Sequence, residues 1–157
     1  MTLFDVVAAV KDPELRVLNV AELGILRDVT VDGDGVTVTI TPTYSGCPAM
    51  DLIRSDIESA LHDAGVARVD VRTVLDPPWS TDMITAEGKA KLAAAGIAPP
   101  APMSGPAAGP VIVPLSVRCP RCGSPATEQL SRFGSTACKS LWRCTACLEP
   151  FDAVKAL

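Results

Sequence analysis

Six cysteines carry most of the chemistry open to this 157-residue chain. Cys119 and Cys122, in "CPRCG", and Cys144 and Cys147, in "CTAC", form two C-x2-C knuckles with 21 residues between them. Two residues between thiolates let both sulfurs face one ion from a tight turn, and two such knuckles complete a tetrahedral four-sulfur site. Zn2+ is the expected ion, which makes the module a structural zinc ribbon. Iron in a rubredoxin-like site, and with it an electron carrier, stays open, because tetrahedral four-sulfur geometry suits both metals. Leu148 rather than a glycine follows the second knuckle, which favours zinc. Arg118, Arg121, Lys139 and Arg143 lie close in sequence and can offset the negative charge of a metal held by four thiolates.

The two remaining thiols are less explicit. Cys138, in "FGSTACK", belongs to neither knuckle and reads either as an apolar packing residue or as a substitute or fifth ligand. Cys47, in "TYSGCPAM", sits between Gly46 and Pro48, where a strand-like run gives way to a helix-like one. Helix amino termini present unpaired N–H groups that favour a thiolate, and glycine permits close approach of a partner. The residues alone leave two readings, a reactive exposed sulfur or a small side chain filling a corner. Thr43 and Asp51 are near enough in sequence to assist Cys47, although strand hydrogen bonding and helix capping account for both.

The elements that must position these thiols fall into three segments. Residues 1–96 read as a mixed α+β domain, a small three-stranded sheet with helices packed on it. "TLFDVVAAVKD" places Leu3, Val6, Val7 and Val10 on one helical face, with Pro13 as its stop. "GILRDVTV" and "VTVTITPTY" flank "DGDG", a hairpin signal. "PAMDLIRSDIESALHDAG" carries Leu52, Ile53, Ile57, Ala60 and Leu61 at helical spacing, "VARVDVRTVL" alternates as a third strand, and "ITAEGKAKLAAAG" is a last helix. Residues 97–114 hold six prolines, two glycines and no charge, so an extended Pro-rich linker is expected, up to roughly 55 Å long at about 3.1 Å per residue. Residues 115–157 carry the four-cysteine ribbon, a module too small to bury much core, in which metal would supply much of the folding free energy.

Charge and missing motifs narrow the function. Met1–Ala98 holds 8 basic and 15 acidic residues, whereas Leu115–Leu157 holds 6 basic and 3 acidic. An acidic body argues against nucleic acid as a partner, because phosphate contacts need a basic face. No apolar run is long enough to span a membrane, and no basic stretch leads into an apolar one at the amino terminus, so a cytoplasmic protein is expected, with its cysteines reduced. His62 is the single histidine and is expected to be solvated on a helix. That rules out a di-iron site built on Glu-x-x-His pairs, and no nucleotide-binding glycine loop is present.

"DPEL" at 12–15, "ELGILRDV" at 22–29, "TPTYSGCP" at 41–48 and "DPPWSTDMI" at 76–84 resemble, in order and spacing, the MIP18 (DUF59) family of iron–sulfur assembly accessory proteins. With the linker and "FGSTACKSLWRCTACLEPFDAVK", the whole chain resembles the family of accessory components, called D or J, of bacterial phenylacetyl-CoA epoxidase systems. The resemblance implies an accessory rather than a catalytic role. In those systems other subunits hold a di-iron site, and a flavin/iron–sulfur reductase supplies electrons. The accessory component is thought to help mature the cluster of that reductase. Carried onto this chain, Cys47 corresponds to the cysteine proposed to handle iron or a cluster, and Asp12 and Glu14 fall in the family's acidic motif. The residues alone also allow Asp12 and Glu14 to cap or solvate a turn. The implied partners are the reductase component and the other epoxidase subunits. A homodimer sharing ligation through two copies of Cys47, and a structural subunit of the oxygenase complex, stay open.

Overall fold

The hairpin organises the amino-terminal half. In the computed structural model, which describes residues 1–103 and 116–156, β1 (Leu26–Asp32) and β2 (Gly35–Ile40) pair antiparallel with Asp32 opposite Gly35. Gly33 turns the chain at φ +61°, a left-handed conformation that costs glycine nothing. Alternation then points Val36, Val38 and Ile40 of β2 inward, where they are buried. The helix α2 (Ala49–Asp63) adds Ile53, Ile57 and Leu61, which recur every fourth residue and are fully buried. The helix returns the chain to β3 (Arg68–Thr73), which pairs parallel to β2 and completes a sheet of order β1-β2-β3. The three-stranded α+β unit expected from the sequence is present.

The first helix is shorter than its pattern. α1 (Leu3–Ala8) opens with a capping box, in which the Thr2 amide donates to Asp5 Oδ2 and the Asp5 amide donates to Thr2 Oγ1. It ends well before Pro13, because Lys11 bridges to Asn19 and the Asp12 amide donates to Leu18 O, drawing the chain into a loop. Tertiary pairing overrides the helical periodicity there.

Two of the sequence motifs prove to be one piece of architecture. Trp79 is buried and its Nε1–H donates to Leu23 O at 2.9 Å, while Arg27 donates to Pro77 O and the Thr85 amide to Glu22 O. Gly24 sits at φ +78° beneath Met83, where a Cβ would fall 2.6 Å from the Met83 carbonyl oxygen. "ELGI" and "PPWSTDMI" are therefore two sides of one close contact, and only glycine fits at its centre.

Contacts divide the described chain into Met1–Trp79 with Met83–Thr85, and Ser80–Asp82 with the residues from Ala86 onward. The second unit contains α3 (Ala86–Ala94), β4 (Ile97–Ala98), β5 (Thr127–Ser131), β6 (Lys139–Cys144) and β7 (Pro150–Val154), with sheet order β4-β7-β6-β5. This differs from the segments read in the sequence at residues 86–98. Ile97 and Ala98, expected to begin the linker, pair with Asp152 and Ala153 of β7, and this strand groups the preceding helix with the ribbon rather than with the first sheet. Residues 104–114 of the expected linker lie outside the described residues. The ribbon's core is small: Ala98, Cys119, Cys144, Phe151 and Ala153 are buried, with Val117 and Trp142 packed against them. No helix among the described residues is long and apolar enough to cross a membrane.

Candidate metal centre and the Cys47 corner

Two turns bring the four knuckle sulfurs together. In the first, the Gly123 amide donates to Cys119 O at 2.9 Å, with Gly123 left-handed at φ +74°. In the second, β6 delivers Cys144, whose amide donates to Glu149 O at 2.9 Å, with Leu148 left-handed at φ +67°. The sulfurs of Cys119, Cys122, Cys144 and Cys147 all lie within 4.8 Å of one another. Cys119 Sγ is 3.8 Å from Cys147 Sγ, and Cys122 Sγ is 3.6 Å from Cys144 Sγ. A tetrahedral ion with metal–sulfur bonds of about 2.3 Å needs sulfurs about 3.8 Å apart, so the cage already has the size of its ion.

The donor chemistry agrees with a cation. Amide N–H groups of Cys147 and Ala146 favour the Cys144 thiolate and lower that thiol to about 7. For Cys147 the Glu149 amide acts in the same direction, but desolvation and the crowding of Cys144, Cys122 and Cys119 outweigh it and push the thiol up to about 12. Four sulfurs this close cannot all ionise against one another without a positive ion between them, and a thiolate-binding divalent metal removes that conflict.

The cationic side chains near the knuckles are largely engaged. Arg121 pairs with Glu149 at 3.0 Å, Arg143 pairs with Glu128, and Arg118 donates to Gly123 O at 3.1 Å. Lys139 is buried at the other end of β6. Cys138 lies there too, one residue before the strand begins, with its sulfur 3.1 Å from Thr136 Oγ1. Six residue steps along the strand, about 20 Å at 3.3 Å each, lead from it to Cys144, so the structure does not bring it to the four-sulfur cage.

Cys47 occupies the turn that feeds α2. Its amide donates to Tyr44 O at 3.2 Å and its carbonyl accepts from the Met50 amide at 3.3 Å. Pro48, one residue later, caps the helix without a side-chain hydrogen bond. Gly46 is left-handed at φ +78° with open space where a Cβ would stand, so the corner is accessible from that side. The sulfur is partly exposed, and Thr43 Oγ1 approaches it at 3.9 Å. Two residues earlier, Thr41 is 1% exposed and its hydroxyl has no hydrogen-bond partner. Sequence reasoning passed over Thr41, because a threonine at a strand end is ordinary β-branched packing until its burial is known.

Asp12 and Glu14 sit on the loop after α1. Asp12 is buried, and its Oδ1 accepts from the amides of Glu14 at 2.9 Å and Leu15 at 2.5 Å. That is the turn-capping role the sequence allowed for Asp12. His62 is exposed on α2, with Nδ1 against Val66 O at 2.9 Å.

With this geometry in place, the comparisons with known proteins are specific. Residues 108–155 match the family model of the PaaD zinc beta ribbon domain, and residues 2–77 match that of an iron–sulfur cluster assembly protein. A protein of Escherichia coli K12 described as the D component of 1,2-phenylacetyl-CoA epoxidase is 45% identical over 148 residues, covering 94% of this chain and 87% of the relative. The Fe-S protein maturation auxiliary factor YitW of Bacillus subtilis is 39% identical over 85 residues, 53% of this chain and 82% of its own. A DUF59 domain from Bacillus anthracis superposes with a TM-score of 0.53 and 34% identity, over 57% of this chain and 87% of that structure.

Proposed function

Because the chain belongs to the PaaD family, that of the D components of phenylacetyl-CoA epoxidases, we propose that it is a non-catalytic accessory protein which helps mature the iron–sulfur centre of the epoxidase's reductase component. The observation that carries this reading is the joining, in one chain, of a module matching iron–sulfur assembly proteins and a four-thiol ribbon of the PaaD type. The other epoxidase subunits are the remaining partners. The accessible Gly46 corner supports Cys47 as the residue that receives iron or a cluster as cargo. One thiol offers one ligand, so the others come from the client or from a second protomer. Transfer is then ligand exchange, with a client thiolate replacing that of Cys47 and no electron moving.

Thr43, within reach of the sulfur, would steady its orientation, and Asp12 would hold the loop of the acidic motif in shape. Cys119, Cys122, Cys144 and Cys147 would hold zinc, consistent with the family description of the ribbon and with the spacing of the sulfurs. That ion supplies a structural cross-link for a module with little core, and presents the ribbon for docking. The test is to purify the reductase from cells with and without this protein and to measure iron and acid-labile sulfide per reductase. Cluster-poor reductase in its absence is the expected result. Fully loaded reductase refutes the proposal.

A further inference from the structure

Among the described residues, three buried side-chain atoms have no hydrogen-bond partner: Arg27 Nε, Thr41 Oγ1 and Arg54 Nε. All three belong to one end of the first sheet. Leu26, Ile40 and Thr73 pair across β1, β2 and β3 in the last row of that end. Arg27 follows Leu26, Thr41 follows Ile40, and Arg54 Nη2 donates to Thr73 Oγ1 at 3.0 Å. The chain leaves this row through Thr41 for the Cys47 turn. Buried polar atoms are ordinarily paired, so three orphans gathered at one place point to a partner from outside the chain. Ligands of open sheets with parallel strands sit beyond the carboxyl ends of those strands, and β2 and β3 end here.

α2 links this row to the thiol. The Cys47 carbonyl accepts from the Met50 amide and Pro48 is helical at φ −69° and ψ −19°, so the first turn of α2 reaches back to Cys47. Cys47 and Arg54 are seven residues apart, two turns along one helical face, with about 10 Å of rise between them. Helix side chains lean toward the amino terminus, which directs Arg54 toward Cys47. Its bond to Thr73, the last residue of β3, agrees with that direction, and Asp51, on the turn between, is exposed and takes no part in it. Both arginines are half-buried, and neither has a carboxylate partner among the described residues. Arg27 donates to Pro77 O and Arg54 to the Thr73 hydroxyl, although Met1–Ala98 holds 15 acidic residues against 8 basic. In the same unit Arg68 and Arg72 do find Asp34 and Asp70.

Two guanidiniums that keep their charge repel a bare ferrous ion and attract an anion. A 2Fe–2S core held by four thiolates is such an anion, and hydrogen bonds to its sulfurs are one of the ways proteins hold and tune it. We propose that Arg54 makes the Cys47 site select an anionic iron–sulfur cluster over iron alone. Its guanidinium donates to the cluster while the Cys47 thiolate ligates it, and Arg27 adds positive charge at the same end of the sheet. This rests on the reading of Cys47 as the residue that receives cargo. Uptake is ligand exchange: the Cys47 thiol gives its proton to solvent, its sulfur replaces one thiolate of the incoming cluster, and the displaced thiolate is protonated. The iron keeps its oxidation state.

The experiment titrates the full-length, metal-loaded protein without oxygen, using two probes. One is Fe2+ alone, followed by equilibrium dialysis. The other is a 2Fe–2S cluster ligated by 2-mercaptoethanol, whose negative charge lies on the cluster itself, followed by visible circular dichroism. Wild type, Arg54→Gln and Arg54→Lys are compared, with Cys47→Ser giving the background from the ribbon cysteines. Arg54→Gln is expected to lose at least tenfold in cluster affinity and to bind Fe2+ as well as wild type or better. Arg54→Lys, which keeps the charge without the planar fork, falls between. Wild-type cluster affinity in Arg54→Gln, parallel losses for cluster and Fe2+, or no cluster uptake by wild type above the Cys47→Ser background overturns the proposal. Failure of the maturation reading shows separately, as cluster uptake that depends on Arg54 together with reductase loading that does not depend on the protein.

Discussion

Removing the metal should melt the ribbon and leave the first sheet standing. Among the buried residues of the ribbon core only Phe151 is a large apolar side chain; its neighbours are two alanines and two cysteines. Burying one such ring contributes about 1.5–3 kcal/mol, whereas structural zinc in small modules contributes about 10–16 kcal/mol. The metal term exceeds the largest single packing term several-fold. The first unit has no such dependence, since Val38, Ile40, Ile53, Ile57 and Leu61 are all fully buried in it. The chain supplies its own reporters. Its two tryptophans divide between the units, Trp79 in the first and Trp142 in the second. Trp142→Phe leaves Trp79 to report the sheet, and Trp79→Phe leaves Trp142 to report the ribbon. A chelator, or Cys144→Ser, should shift Trp142 emission to the red and open the amides of β6 and β7 to exchange. Trp79 emission and the exchange protection of α2 should not change. A ribbon that stays folded after metal analysis shows complete removal, or two reporters that melt together, refutes the reasoning.

Three further outcomes follow from the geometry. Gly24→Ala and Gly46→Ala both place a Cβ on a left-handed backbone, but only the first meets an obstacle, 2.6 Å from Met83 O. Denaturant unfolding should show a loss of about 1 kcal/mol for Gly46→Ala and about 2 kcal/mol or more for Gly24→Ala. Equal losses would contradict the close contact. The Asp5 carboxyl is held below its usual range chiefly by the Thr2 amide. Its contribution to stability is therefore present above the unfolded value of about 3.9 and is lost as pH falls through the lower folded value. The stability gap between wild type and Asp5→Asn should close on acidification, and a gap that widens contradicts the capping box. Cys138→Ala should leave metal content unchanged, because β6 separates it from the cage; loss of one metal equivalent would make it a ligand.

How far the sequence could be read depended on the range of each signal. The knuckles, the Asp-Gly hairpin and the four-residue spacing of Ile53, Ile57 and Leu61 are local patterns, and the structure repeats them. Signals that depend on distant partners failed in characteristic ways. The apolar face of α1 runs to Val10, yet the helix stops at Ala8, because the Lys11–Asn19 bridge belongs to tertiary structure. Ile97 and Ala98 carry too little pattern to declare a strand, and only the edge of β7 makes them one. "ELGI" and "PPW" were recognisable as family motifs, but their reason, one backbone pressed on another at Gly24, required coordinates. The unpartnered hydroxyl of Thr41 was invisible for the same reason, since burial is set by the whole fold.

The central claim is that Cys47 is the working residue of a maturation factor, and one measurement tests it directly. The reductase is co-produced with wild-type protein or with Cys47→Ser, and its iron and acid-labile sulfide are measured alongside the fold and metal content of the variant. The account predicts a cluster-poor reductase beside a Cys47→Ser protein that remains folded and metal-loaded. Reductase loaded to the wild-type level would contradict it and leave Cys47 as a packed corner.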